Sequence, residues 1–359
     1  MSKIFSSYFW VFVIALLAGF VSGLLAYLAL GSGFIVIPYV SQWYLSRQYL
    51  DRGVIITQPR KVVVEQDLQS SKVKEQANNF LLNIYVAKNN SATINNFYLP
   101  SDRLALAIAL TSDGWLITKQ ALLKELTRLV VVGYDRKSYS IKQVINDKVT
   151  GLSFIKIDAK NLPVANLASD QDITDGQEIL LVDGLGKIKL TNILQSNWQN
   201  KKDLNSLINS SDKFATEILL ADENLSAQSV GLNYAGAVVG LPALETKQLI
   251  PIWQINNVLA TVLKQQVISR PSLGISYFDL QDNFNVAYNF NYGALIRQIN
   301  ATSPALNLLQ VGDIILAVNN ETLKDTNLTN LVQSYKVGDD LEIRYYRDNK
   351  ESTVTVKLK

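Results

Sequence analysis

The chain of 359 residues contains no histidine and no cysteine. The two absences exclude disulfides and remove the usual ligands for zinc, haem and copper, so neither a metal site nor a cofactor is expected. They also take away the commonest general base for activating a nucleophile. An oxidising compartment is permitted but not required. Charge of one sign is scarce too: 34 basic against 31 acidic residues leave a net +3, with no basic stripe. Nucleic acid is therefore not an expected partner. What the chain does hold is 48% hydrophobic and 18% charged residues, enough for substantial cores and unlike a disordered polymer. Its length predicts two or three domains.

Between Tyr8 and Leu30 there is no charged residue, and the run is long enough as a helix to cross a hydrocarbon layer of about 30 Å. A cleaved signal peptide should close on a small-x-small site, whereas Ala26-Tyr27-Leu28-Ala29-Leu30 stays apolar. The expectation is a membrane anchor over 8–30. Lys3 lies on one side and the first cation on the other is Arg47, which places residues 1–7 in the cytoplasm and the remainder outside. Residues 31–73, with Pro38 and Pro59 and no clean period, read as a linker. Trp43, Tyr44 and Tyr49 within it suit either interfacial anchoring or packing on the first domain. From Lys74, residues 75–86 predict a short helix feeding a strand.

Ser112-Asp113-Gly114 is a turn tripeptide between the apolar runs 104–110 and 115–118, which predicts a β-hairpin. Further strands are expected over 129–133, 138–145, 152–157, 178–182, 190–195, 214–220 and 237–241. Such spacing predicts a barrel or sandwich. Ile252, Ile255, Val258, Leu259, Val262 and Leu263 fall at helical spacing and predict a helix over 250–264. Arg270-Pro271 marks a boundary. Beyond it the sequence predicts a second β-rich unit, with a helix over 325–335 and strands over 340–347 and 352–358.

The stretch from Thr111 to Leu122 resembles the HtrA (Deg) family of trypsin-like serine proteases, whose hairpin runs into Thr-Asn-Asn-His. Here that segment reads Thr118-Lys119-Gln120-Ala121. Residues 75–84 resemble the family's Glu-Gln-Ala-Ser-Pro-Ala-Val-Val-Asn-Ile entry segment. Residues 147–157 resemble its Asp-Pro-x-Thr-Asp-Leu-Ala-Val-Leu-Lys-Ile, whose second aspartate is the triad acid. Gly293-Ala294-Leu295-Ile296, Ser303-Pro304-Ala305 and the run from Val311 to Asn319 resemble a PDZ domain. The resemblance implies a mainly β chain: a trypsin-like double β-barrel over 74–269 and a PDZ domain over 270–359, preceded by one transmembrane helix. It also implies a homotrimer.

Carried across, the family's triad falls on Ala121, Gly151 and Ala227. The last follows by counting back from Gly236-Ala237-Val238-Val239-Gly240-Leu241 to the Gly-Asn-Ser-Gly-Gly-Pro-Leu loop. Residues 225–232 have also lost the glycines that turn backbone N–H groups into an oxyanion hole. No catalytic residue is assigned, and the leading expectation is a pseudoprotease. Two other readings stay open, a purely structural envelope protein with no peptide ligand and a divergent active peptidase. An indel of one or two residues would bring Ser226 or Ser229 to the nucleophile position. Lys119 would then complete a Ser-Lys dyad if burial depressed its pKa, giving a divergent active serine endopeptidase in envelope protein quality control.

For the PDZ domain the resemblance puts peptide binding on Ser272-Leu273-Gly274-Ile275, which corresponds to the family's Tyr-Leu-Gly-Ile. Leu328, Leu331 and Val332 on the helix suit either groove or core. The expected partners are C-terminal or unfolded peptides of envelope proteins, captured by strand addition with the carboxylate on a loop of N–H groups.

Overall fold

The computed structural model describes residues 12–24, 62–88, 97–119, 128–222, 226, 228–243, 247–281, 283 and 290–359. Residues 1–64 and 65–359 form two compact units. In the first, residues 12–24 are helical (α1), with large apolar side chains such as Phe12 and Phe20 exposed. Residues 8–11 and 25–30 of the expected anchor lie outside the described residues, as do Ala121, Ala227 and the linker aromatics. No helix among the described residues is long and apolar enough to cross a membrane.

α2 (Val62–Phe80) starts twelve residues before the expected helix, inside the stretch read as linker. Its inward face is short and small: Val73, Ala77 and Phe80 are buried, and the Gln69 amide donates to the Tyr234 carbonyl at 2.7 Å. So sparse an apolar stripe gives little periodic signal.

α2 leads into a closed antiparallel barrel of β1 (Leu81–Val86), β2 (Arg103–Ala109), β3 (Trp115–Lys119), β4 (Leu129–Val132), β5 (Ser138–Asp147) and β6 (Leu152–Ile157). Its order is β1-β2-β3-β6-β5-β4, closed where Asn83 pairs with Val132. The expected hairpin is β2–β3, with Ile108 opposite Ile117. A second closed barrel holds β7 (Glu178–Asp183), β8 (Ile188–Trp198), β10 (Glu217–Leu220), β11 (Ser229–Leu232), β12 (Val238–Pro242) and β13 (Gln248–Pro251), in the order β10-β13-β12-β11-β7-β8. The predicted helix over 250–264 begins late. Ile250 and Pro251 belong to β13, a 3-10 turn covers Ile252–Ile255, and α3 spans Asn256–Gln265. Ile250 pairs with Leu241 across the barrel seam, so sheet closure overrides the helical spacing there. Ile252, Ile255, Val258 and Val262 are fully buried in the shared core.

The last unit is a sheet of β14 (Ile275–Asp279), β15 (Ala294–Ile299), β16 (Ile314–Val318), β17 (Glu321–Thr322), β18 (Asp340–Arg347) and β19 (Lys350–Lys357), covered by α4 (Leu328–Ser334). The outer edge of β14 pairs with β9 (Ile208–Ser210), a strand that leaves the second barrel between β8 and β10.

Candidate functional site

The first cluster surrounds Gly151, the one described residue of the three positions that the resemblance assigns to the triad. β3 ends at Lys119, opposite Leu152 of β6, so the end of the hairpin lies beside the β5–β6 turn. That turn is built on Asp147, whose carboxylate accepts from Val149 N at 3.1 Å and Thr150 Oγ1 at 2.7 Å. Gly151 follows at φ 73°, and a Cβ built on it would meet open space. The position thus tolerates a larger residue sterically but sits in the left-handed region, which disfavours one conformationally. Gly151→Asp, which would restore the acid position, is expected to lower stability by about 1 kcal/mol, read as a lower urea midpoint, and to confer no hydrolysis.

Lys119 is only 6% exposed. Burial pushes its pKa below the ordinary lysine value, with the charge of Glu217 opposing. Its Nζ donates to the Ala243 carbonyl at 2.5 Å, across to the second barrel. The serines are engaged with each other: Ser229 Oγ donates to Ser226 O at 2.8 Å, and Ser226 Oγ accepts from Gln228 N at 3.3 Å. Ser229 opens β11, opposite Asp183 of β7, so half of the segment expected as a loop is strand. Gln228 makes a reciprocal pair with Arg103 at the start of β2: Arg103 Nε donates to Gln228 Oε1 at 2.8 Å, and Gln228 Nε2 donates to Arg103 O at 2.7 Å. Arg103 also donates to Asn83 Oδ1 at 3.2 Å. Burial lowers its pKa, opposed by Asp183 and Tyr85.

The second cluster is the groove between β14 and α4. Leu273 and Ile275 are buried. Gly274 holds φ 71°, and a Cβ there would lie 2.8 Å from Ser303 Cβ, so any side chain would strain the loop from behind. Leu328 and Val332 are fully buried in the PDZ core. The helix residues that reach across the groove are Thr329 and Gln333, which periodicity alone does not single out. Thr329 Oγ1 donates to Ser210 O at 2.8 Å, and Gln333 Nε2 to Pro271 O at 2.9 Å. Among the described residues no group of acidic side chains is placed to hold a metal ion.

Two six-stranded antiparallel barrels followed by a sheet-and-helix unit define a trypsin-like serine protease fold with a C-terminal PDZ domain. A family description reading "PDZ domain" matches residues 271–358. Among curated proteins, the Serine protease Do-like HtrA of Bacillus subtilis is 24% identical over 270 residues, covering 68% of this chain and 60% of that protein. A Probable periplasmic serine endoprotease DegP-like of Pseudomonas fluorescens is 25% identical over 274 residues, covering 71% of this chain and 56% of that protein. The chain thus spans under two thirds of the length of these relatives. Among solved structures, the HtrA-type protease AlgW with decapeptide aligns at TM-score 0.55 with 18% identity, over 80% of this chain and 98% of that one. The serine endoprotease from Yersinia pestis aligns at TM-score 0.51 with 17% identity, over 80% and 97%. The fold is that of the HtrA/DegP family of trypsin-like serine proteases with a C-terminal PDZ domain.

Proposed function

We propose that this chain is a non-catalytic, membrane-anchored HtrA-like protein that works by binding peptides. Its PDZ domain takes C-terminal or unfolded segments of extracytoplasmic proteins, and its protease barrel serves as the scaffold and, as in a trimer, the assembly platform. The observation that carries the proposal is the absence of histidine from the whole chain. A serine nucleophile needs a base within hydrogen-bond reach and an acid to orient that base. Ala121, Gly151 and Ala227 stand where the resemblance places base, acid and nucleophile. The segment 8–30 supplies the anchor in this reading, and the loop Ser272 to Ile275 the carboxylate site. The relatives described as periplasmic support an extracytoplasmic position for the two domains.

A second reading, a serine endopeptidase with Lys119 as base, draws on the burial of that side chain and its lowered pKa. Against it, the Lys119 ammonium donates to a backbone carbonyl, and the Ser226 and Ser229 hydroxyls are engaged within their own turn. Full-length protein treated with a fluorophosphonate probe and a casein substrate is expected to show neither serine labelling nor cleavage. Labelling of Ser226 or Ser229 that disappears in Lys119→Met would overturn the proposal in favour of the dyad.

A further inference from the structure

The PDZ groove is filled from within. β9 lies antiparallel along β14, with Ser210 opposite Ser276, Asn209 opposite Tyr277 and Ile208 opposite Phe278. Ser211 continues the ladder by donating its N–H to Ile275 O at 2.9 Å. The chain then turns and delivers the side chain of Asp212 onto the loop. Asp212 Oδ1 accepts from Leu273 N at 2.9 Å and Gly274 N at 3.1 Å, and Oδ2 from Ser272 Oγ at 2.7 Å. Ser211 Oγ accepts from Ile275 N at 3.0 Å and donates to Asp212 Oδ1 at 2.7 Å. Thr329 and Gln333 on α4 close over the carbonyls of Ser210 and Ser211.

Strand addition capped by a carboxylate on backbone N–H groups is how such a groove holds a chain terminus. We propose that Asp212 is a tethered imitation of a C-terminal carboxylate, so that residues 208–212 latch the groove and a partner's C-terminal peptide must displace them. This rests on the peptide-binding reading above and adds its regulation and specificity. The latch lies in the connection that runs from the end of β8 at Trp198 to the start of β10 at Glu217. Its fit is incomplete: Asn209 is buried, yet its Nδ2 has no hydrogen-bond partner, a cost that an apolar side chain would not carry. Ser211, the last residue of the ladder, is small and fully buried, with its hydroxyl turned to Ile275 N and the Asp212 carboxylate. The displacing partner is therefore a peptide with a small last residue and an apolar residue two places before it.

The test uses full-length protein and a fluorescent peptide Ser-Leu-Ile-Asn-Ser-Ser, the sequence of residues 206–211, ending in a free carboxylate, with its C-terminal amide as control. The variants are Asp212→Ala and Asp212→Asn, the second keeping the side-chain shape so that lost packing is separated from lost charge. In both, exchange of the amides of residues 273–275 is expected to quicken, and the acid peptide to bind about tenfold tighter than to wild type, because the competent fraction rises. The amide peptide should not bind. The same peptide with leucine for asparagine should bind more tightly than the parent. Unchanged exchange at 273–275 would overturn the latch, and equal affinity for wild type and variants would overturn the competition. Faster exchange with no acid-peptide binding to any form would support the latch and sink the peptide-binding reading instead.

Discussion

Arg270→Ala is expected to lower the unfolding free energy by about 3–5 kcal/mol, the cost of leaving a buried charge without its partner. Arg270 occupies the boundary between the second barrel and the PDZ domain, and its guanidinium reaches back into the first barrel. Nε donates to Asp147 Oδ1 at 3.2 Å and Nη2 to Asp147 Oδ2, with Nη2 also on Gln254 O at 3.1 Å. Only 7% of the arginine side chain and 1% of the aspartate side chain is exposed, so water cannot substitute for either. The Arg270 Cζ lies 5.4 Å from the centroid of the Phe214 ring, which packs edge-on against Trp253. A double-mutant cycle with Asp147→Asn in urea, in which both singles lose most of the effect of the double, measures the coupling. Near-additivity, with Arg270→Ala costing under about 1 kcal/mol, would mean the pair behaves like a surface ion pair.

The same arginine joins the two clusters. Arg270 Nη1 donates to Gln333 Oε1 at 3.4 Å, and Gln333 Nε2 contacts Ser211 O at 3.4 Å. A chain of polar contacts therefore runs from the β5–β6 turn, where Gly151 stands, to the segment filling the PDZ groove. Removing Arg270 also loosens the residue that clasps the latch, which ties the stability of the junction to occupancy of the groove.

The elements legible in the sequence are those whose signal is local. The Ser112-Asp113-Gly114 turn between apolar runs specified β2–β3, and α4 and β18 fell inside their predicted ranges, as did the apolar face of α3, while β19 began two residues before its range. What escaped depends on distant partners. β9 and its continuation read Ile208-Asn209-Ser210-Ser211-Asp212, polar and without alternation, and it is a strand because the edge of β14 offers unpaired backbone groups. β11 was expected as loop, since Ser229-Val230-Gly231-Leu232 has too short an apolar pattern to stand out, and its place comes from pairing with β7 and β12. At the groove, the backbone N–H groups of Leu273, Gly274 and Ile275 are taken by Asp212 and Ser211, whereas the polar contacts from α4 come from Thr329 and Gln333. The spacing of Leu328 and Val332 marks the buried face of a helix and is silent on the face turned to a groove.

Arg103→Ala is expected to cost about 3 kcal/mol, two charge-assisted hydrogen bonds to the half-buried amides of Gln228 and Asn83, and to free the segment that follows Ala227. In the motif the residues after the nucleophile are glycines, which hold their loop through backbone conformation. On the register that the resemblance gives, Gln228 and Ser229 stand at those positions, and the segment is held by side chains: Gln228 clasps Arg103 in both directions, while Asn83 links Arg103 to Gly184 through its own amide at 3.0 Å. Arg103→Lys keeps the charge but loses the fork that serves Gln228 and Asn83 together, so it should recover under half of the loss. Urea unfolding gives the magnitudes, and hydrogen exchange at Gln228 and Ser229 should quicken in both variants ahead of global unfolding. Exchange unchanged at 228 and 229 would instead leave the Ser226–Ser229 turn and the pairing of β11 with β7 to hold this segment, and make Arg103 a filler of the β2 edge.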